Sequence, residues 1–206
     1  MTENQSTVSR GQFLRNTAKG GLVLATSGGV LASVSGVALA GTTSSDISTM
    51  QAAYTAESLA VYVYTAILAN FTKFSHPKLQ NKDYFQHALE DEKAHKAFLG
   101  KALGAKAPKL TNASFQIPAS VLKSGQSLLN TGVALETAFV EAYLGASNTF
   151  SSADLRLVAA KVAANEATHF SFFDAAAGGH GVLPAVPSTA TIPATVAKLK
   201  PFLTGK

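Results

Sequence analysis

Residues 88–105 read ALEDEKAHKAFLGKALGA and residues 163–173 read AANEATHFSFF, and these two stretches decide the fold. Each contains a glutamate followed three residues later by a histidine: Glu92 with His95, and Glu166 with His169. Residues three apart on an α-helix lie on the same face. Each pair can therefore offer one oxygen and one nitrogen ligand to the same metal ion, which predicts a metal centre between helices.

The composition favours helices and limits the metal chemistry. Of the 206 residues 47% are apolar, and cysteine and tryptophan are absent. Alanine-rich sequence with short β-branched runs favours helix over sheet. Without cysteine the chain has no disulfide, thiolate nucleophile or iron–sulfur cluster, so oxygen and nitrogen must hold any metal. The formal charge of +5 comes from scattered lysines, a pattern that predicts no nucleic-acid partner.

Apolar residues recur at helical spacing in four segments, at about residues 46–71, 78–103, 121–146 and 152–177. Short turns, Ser75-His76-Pro77 and Ser147-Asn148-Thr149, make each successive pair an antiparallel hairpin. The middle connection, about residues 105–120, can reach about 50 Å when extended, longer than a bundle helix of roughly 35–40 Å. The predicted fold is all-α: a four-helix bundle over residues 41–178 with one long crossover between helices two and three.

The two ends of the chain differ from the bundle. Residues 1–40 combine an early basic region, an apolar stretch and a small-residue end, Ala38-Leu39-Ala40, which predicts a signal peptide cleaved after Ala40. The segment SRGQFLR is similar to a twin-arginine signal, but Gly11 stands at the second arginine position. The export route stays open, and the predicted location is the periplasm or cell surface, with no stable membrane span after processing. Residues 179–206 are proline-rich and predict an irregular tail with one short helix near 194–199.

Each of the four apolar stripes contains one glutamate: Glu57, Glu92, Glu136 and Glu166. A lone ionised carboxylate in a core costs several kcal/mol unless it is paired or bound to metal. Two divalent cations would balance all four carboxylates. The positions also repeat, because Glu57 precedes Glu136 by 79 residues and Glu92 precedes Glu166 by 74, as a doubled helical hairpin would give.

Several neighbouring residues leave alternatives open. Glu141 competes with Glu136 on the third helix, but it lies about 140° round from it, so Glu136 is the preferred ligand. Asp91 could orient an imidazole, although a surface position is favoured. Tyr64 and Tyr143 each follow a predicted ligand by seven residues. They could hydrogen-bond near the metals, but packing as core aromatics is the favoured interpretation.

The chain resembles the ferritin-like superfamily in four stretches: AESLAVYVYTAIL, ALEDEKAHKAFLGKALGA, ALETAFVEAYLGA and AANEATHFSFF. In particular it is similar to the exported branch described as ferritin-like domain or desiccation-related proteins. The resemblance implies a set of six metal ligands, namely Glu57, Glu92, His95, Glu136, Glu166 and His169. Carboxylate and imidazole ligands suit iron or manganese, so the expected cofactors are two ions of either metal, and in the first functional hypothesis Glu57 and Glu136 bridge them or shift.

The function implied is a di-metal carboxylate centre that reacts with dioxygen or peroxide in stress defence. Two alternatives stay open: iron sequestration without turnover, and a structural stress protein whose metal site is not catalytic. The metal, the substrate and the electron donor are not determined by the sequence, and the resemblance is compatible with a homo-oligomer.

Overall fold

A computed structural model describes residues 42–71 and 82–204. Within them the chain forms five α-helices: α1 (Ser44–Ala69), α2 (Lys82–Leu103), α3 (Gly125–Thr149), α4 (Ala153–Ala177) and α5 (Ile192–Leu199). The same residues contain no β-strand, only an isolated antiparallel bridge between Phe115 and Leu203. The predicted all-α class is confirmed. The predicted signal peptide, the Ser75-His76-Pro77 turn and the predicted helix start near Lys78 lie outside the described residues.

The helices α1 and α2 run in opposite directions. Early in α1 the ring of Tyr54 lies 5.7 Å from the Lys96 Nζ, late in α2. Late in α1 the ring of Tyr64 lies 6.3 Å from that of Phe85, near the start of α2. The early part of α1 thus contacts the late part of α2, and the late part of α1 contacts the early part of α2. The two helices therefore form an antiparallel hairpin.

The direction of α3 explains the long connection before it. Tyr64 of α1 donates a hydrogen bond to Glu136 of α3, whereas Glu57, two turns earlier in α1, accepts one from Tyr143, two turns later in α3. Helices α1 and α3 are therefore antiparallel, and α2 and α3 must be parallel. A parallel pair requires the chain to return along the bundle, so residues 104–124 make the predicted crossover. The predicted ferritin-like bundle is confirmed.

The third helix begins later than predicted. The sequence periodicity predicts a start at about Val121, but Val121–Lys123 form a single 3₁₀ turn and α3 starts at Gly125. The reason is the Ser124 hydroxyl, which accepts a hydrogen bond from the Ser127 N–H at 3.0 Å and caps the helix. Apolar spacing alone did not reveal this cap.

The third helix also ends later than predicted. Ser147-Asn148-Thr149 was predicted as the turn, yet α3 continues through Thr149. The hydroxyls of Ser147 and Thr149 bond back to helix carbonyls three and four residues earlier, at 2.7 and 3.0 Å, so these residues stay compatible with the helix. The turn is Phe150–Ser152, and Ser152 caps α4 as predicted.

The tail lies along α3 and then meets the crossover. The Ala190 N–H donates to the Glu141 carbonyl at 2.9 Å, and the Lys198 ammonium lies 2.5 Å from the Glu141 carboxylate. Farther on, the Gln116 N–H donates to the Phe202 carbonyl at 2.8 Å. The tail and the crossover, neither of which contains a long helix, thus contact each other and pack on the bundle.

Among the described residues, α1 is the helix long and apolar enough to cross a membrane. It also carries buried polar side chains, including Asp46 and Glu57. Its contacts with α2 and α3 are those of a core helix in the bundle.

The buried Asp46 carboxylate joins the start of α1 to the turn between α3 and α4. It accepts hydrogen bonds from the Thr43 N–H at 2.8 Å and from the Ser151 N–H at 3.0 Å. Burial would raise the pKa of Asp46, but the hydrogen bonds from Ser151 and Thr43 outweigh it and lower the pKa from 3.8 to about 2.

Replacing this carboxylate should destabilise the bundle in a pH-dependent way. Asp46→Ala should lower the free energy of unfolding by about 1–3 kcal/mol at pH 7, because two N–H groups lose their acceptor. Since the folded-state pKa is lowered, the stabilisation is present above about pH 4 and is lost as the pH falls towards 2. Chemical denaturation at pH 7 and pH 3 measures both effects.

Ser48→Ala is the control, because its exposed hydroxyl bonds only to the Ser44 carbonyl on the same helix. An equal loss in both variants, or a loss for Asp46→Ala that does not shrink in acid, would contradict the assigned role of Asp46.

Candidate metal centre

Each of the four long helices places one glutamate in the centre of the bundle. The carboxylates and the two histidines are all buried, with side chains no more than 3% exposed: Glu57 on α1, Glu92 and His95 on α2, Glu136 on α3, and Glu166 and His169 on α4. The structure thus brings all six residues of the predicted ligand set together. Helical spacing explains the result, because each glutamate lies in the apolar stripe that faces the core.

The first group of possible ligands surrounds His95. Its Nδ1 lies 3.0 Å from Glu166 Oε1, 3.5 Å from Glu57 Oε2 and 3.7 Å from Glu92 Oε2. These four residues offer ligand atoms within 4.8 Å of one another, a spacing that could hold a metal ion.

The second group surrounds His169. Its Nδ1 lies 3.0 Å from Glu92 Oε1, 3.2 Å from Glu166 Oε2 and 3.8 Å from Glu136 Oε2. This group meets the same spacing limit for a metal ion.

Glu92 and Glu166 belong to both groups. Each directs one carboxylate oxygen towards His95 and the other towards His169. Glu57 and Glu136 each belong to one group only. The expectation that these two carboxylates bridge the ions or shift between them stays a prediction, and the geometry favours Glu92 and Glu166 as the shared pair.

Six buried polar atoms of the centre make no well-aligned hydrogen bond, even though His95 Nδ1 and Glu166 Oε1 lie only 3.0 Å apart. They are Glu57 Oε2, both Glu92 oxygens, His95 Nδ1, Glu136 Oε2 and Glu166 Oε1. Unpaired buried polar atoms are rare in native proteins and costly. Here they converge from four helices, and carboxylate oxygens with imidazole nitrogens suit iron or manganese. The donor set therefore fits two divalent ions.

Two tyrosines hold the outer carboxylates in a reciprocal pattern. Tyr64 of α1 donates to Glu136 Oε1 of α3 at 2.8 Å, and Tyr143 of α3 donates to Glu57 Oε1 of α1. In each glutamate the other oxygen, Oε2, is the one nearest a histidine. The favoured interpretation of the tyrosines as purely aromatic packing was wrong, because spacing along one helix does not reveal a partner across the bundle.

Burial raises the pKa of both phenols well above the usual value. For Tyr64 the charge of Glu136 adds to this effect, and for Tyr143 the charge of Glu57 does. The two phenols therefore remain protonated hydrogen-bond donors.

Asp91 also lies beside the centre rather than on the surface. Its Oδ2 is 3.4 Å from His169 Nε2 and accepts a hydrogen bond from Asn165 Nδ2 at 3.2 Å. The favoured surface position was therefore wrong, and the alternative, that Asp91 orients an imidazole, fits the structure. Asp91 faces α4, where it orients His169 so that Nδ1 points at the carboxylates.

Asn165 was missed by the sequence analysis, although the internal repeat identifies it. It precedes Glu166 just as Asp91 precedes Glu92, at the same offset of 74 residues. The two side chains meet between α2 and α4.

Other carboxylates and histidines lie away from the centre. Glu141 pairs with Lys198 of α5, so the structure favours Glu136 over Glu141. His87 is exposed and lies 3.7 Å from Glu90, and His180 is exposed in the tail.

The electrostatics of the centre favour retained protons when no cation is bound. Burial raises the pKa of Glu57 and Glu136 well above the usual value, and the charge of Glu92 adds to both. Burial lowers the pKa of His95 and His169, but the neighbouring carboxylates outweigh it and raise both. Burial would also raise the pKa of Glu92, yet its contacts with the two histidines lower it.

Binding of a divalent metal should therefore release protons. Because the pKa values of Glu57, Glu136, His95 and His169 are raised, a metal competes with protons for these side chains, so affinity should rise as the pH rises. Isothermal titration of Mn²⁺ between pH 6 and 8, in two buffers of different ionisation enthalpy, measures the protons released. Glu141→Gln is the matched control and should behave like the parent protein. An affinity independent of pH, with the same binding enthalpy in both buffers, would contradict this electrostatic account.

Comparison with known proteins bears on the fold and the centre together. No curated protein matches the chain in sequence. The family described as ferritin-like domain matches residues 45–179, a range that spans the four bundle helices and all six residues of the centre. The chain belongs to the ferritin-like domain family.

Proposed function

We propose that this protein binds two iron or two manganese ions, with Glu57, Glu92, His95, Glu136, Glu166 and His169 as ligands. The observation that carries the proposal is the pair Glu92 and Glu166, each of which directs one oxygen to each histidine. A carboxylate in that position can bridge two ions. Four carboxylates and two neutral imidazoles also balance the charge of two divalent cations.

The proposed activity is redox chemistry towards dioxygen or peroxide. A pair of iron or manganese ions supplies and accepts electrons when bound. The chain's own residues keep bulk water out, since all six ligand side chains are buried. Tyr64 and Tyr143 hold one oxygen of Glu136 and of Glu57, which fixes how these two carboxylates approach the centre.

The proposed setting is outside the cytoplasm, in the periplasm or at the cell surface. Support comes from the basic and apolar pattern of residues 1–40. The proposed role is stress defence, which rests on the resemblance to the exported desiccation-related branch. We also propose that the protein assembles as a homo-oligomer.

Metal content tests the proposed site. The protein, loaded anaerobically with Fe²⁺ or Mn²⁺ and desalted, should carry about two ions per chain by elemental analysis. Glu92→Gln/Glu166→Gln should carry none, because both bridging carboxylates are lost while side-chain size is kept. Glu90→Gln, a change two residues before Glu92 at an exposed position, is the control and should keep two. No stoichiometric metal in the parent protein would contradict the proposed site.

The same preparations separate turnover from storage. Consumption of hydrogen peroxide or dioxygen by the two-metal protein, absent in the double variant, supports redox activity. Uptake of many more than two iron ions per chain, without such consumption, favours sequestration instead.

A further inference from the structure

Two cavities flank the metal centre, one at each end. The larger, of about 50 Å³, borders His95 and Tyr143. The smaller, of about 20 Å³, borders Glu136 and Tyr64. Since a water molecule needs about 10–15 Å³ of such space and a cavity of about 150 Å³ holds benzene, the larger cavity has room for a molecule of about two to four heavy atoms.

The two cavities are related by the internal repeat. Eight lining positions of the larger cavity on α1 and α3 have counterparts 79 residues away in the lining of the smaller cavity. Tyr143, for example, corresponds to Tyr64, and Ala53 corresponds to Gly132. The bundle therefore contains two versions of one chamber, and any difference between them comes from side chains.

The smaller chamber is narrowed by Phe173, which lines it and packs against Phe85. The rings of Phe85 and Phe173 lie 5.9 Å apart, and Phe173 lies directly over Gly132. A Cβ at Gly132 would fall 2.3 Å from Phe173 Cδ1, so only glycine leaves room for this ring. The closed version of the chamber thus requires Phe173 together with a glycine at position 132.

The larger chamber lacks these rings. At the offset of 74 residues, Ala159 stands in place of Phe85 and Leu99 in place of Phe173, and both line the larger cavity. Six alanines contribute to its walls: Ala52, Ala53, Ala56, Ala142, Ala146 and Ala159. At these two positions the larger chamber has smaller side chains, whereas the other half of the repeat has aromatic rings. This difference keeps the His95 end of the centre open.

The walls determine what can bind. None of the described residues that line the larger cavity is an aspartate, glutamate, lysine or arginine. Helix α5 covers part of it through Ile192 and Thr195, and His95 and Tyr143 bring it to one side of the metal centre. An apolar cavity of this kind stays dry and binds apolar molecules.

We propose that the alanine-lined cavity is a binding site for a small apolar molecule of about two to four heavy atoms, such as a short hydrocarbon, beside the His95 group of the centre. This inference goes beyond the proposed function, because binding in the cavity needs no metal. The chamber at the Tyr64 end is closed to the same ligands by Phe173, which packs against Phe85.

Xenon is the probe, used with the metal-free full chain. Methyl NMR under rising xenon pressure should show saturable shifts at Met50 and Ala56, and xenon-pressurised crystals should show density in the larger cavity but not in the smaller one. The triple variant Ala53→Gly/Leu99→Phe/Ala159→Phe rebuilds the closed version and should weaken xenon binding at least tenfold. Ala159→Leu, a smaller change, should weaken it in the same direction and serves if the triple variant does not fold.

A control variant tests whether the effect is local to the larger cavity. Gly132→Ala/Phe173→Leu opens the other chamber and should leave xenon binding at the larger cavity unchanged. Because the measurements use the metal-free chain, a failure of the metal site does not affect this test. Absence of binding to the parent protein, or equal binding to the parent and the filled variants, would overturn the proposal.

Discussion

The structure depends on one constraint: four carboxylates and two imidazoles are held together in the core of a helical bundle. Buried charges of like sign repel one another and lose their hydration, so the surroundings must compensate. The two histidines lie between the carboxylates, and two phenols and Asp91 bind the outer atoms. The crossover is part of the same solution, because it lets α1 and α3 run antiparallel and exchange tyrosine–glutamate hydrogen bonds.

The internal repeat gives this centre an approximate two-fold order. Glu92 and Glu166 lie where both halves meet, while Glu57 and Glu136 each serve one half. The order is broken in two places. Asp91 contacts His169, whereas its counterpart in the repeat is the neutral Asn165. Phe173 narrows one chamber, whereas Leu99 stands at the corresponding position of the other. The two halves therefore have similar candidate ligands but different surroundings.

The sequence predicts the helices and the six central residues because both depend on local spacing: an apolar stripe and a histidine three residues after a glutamate stay on one helix face. It does not predict which carboxylates lie between the histidines, because that depends on the approach of α1 and α3. The roles of Tyr64, Tyr143 and Asp91 were also misjudged, since their partners lie on other helices. The limits of α3 were missed because serine and threonine side chains, rather than apolar spacing, decide them.

The central proposal is that Glu92 and Glu166 would each bind both of two metal ions. Anomalous diffraction from crystals of the manganese-loaded protein, collected above and below the metal absorption edge, tests it most directly. The account predicts two anomalous peaks per chain, both in contact with Glu92 and Glu166, one beside Glu57 and His95 and the other beside Glu136 and His169. A single peak, or peaks that do not involve these two carboxylates, would contradict it.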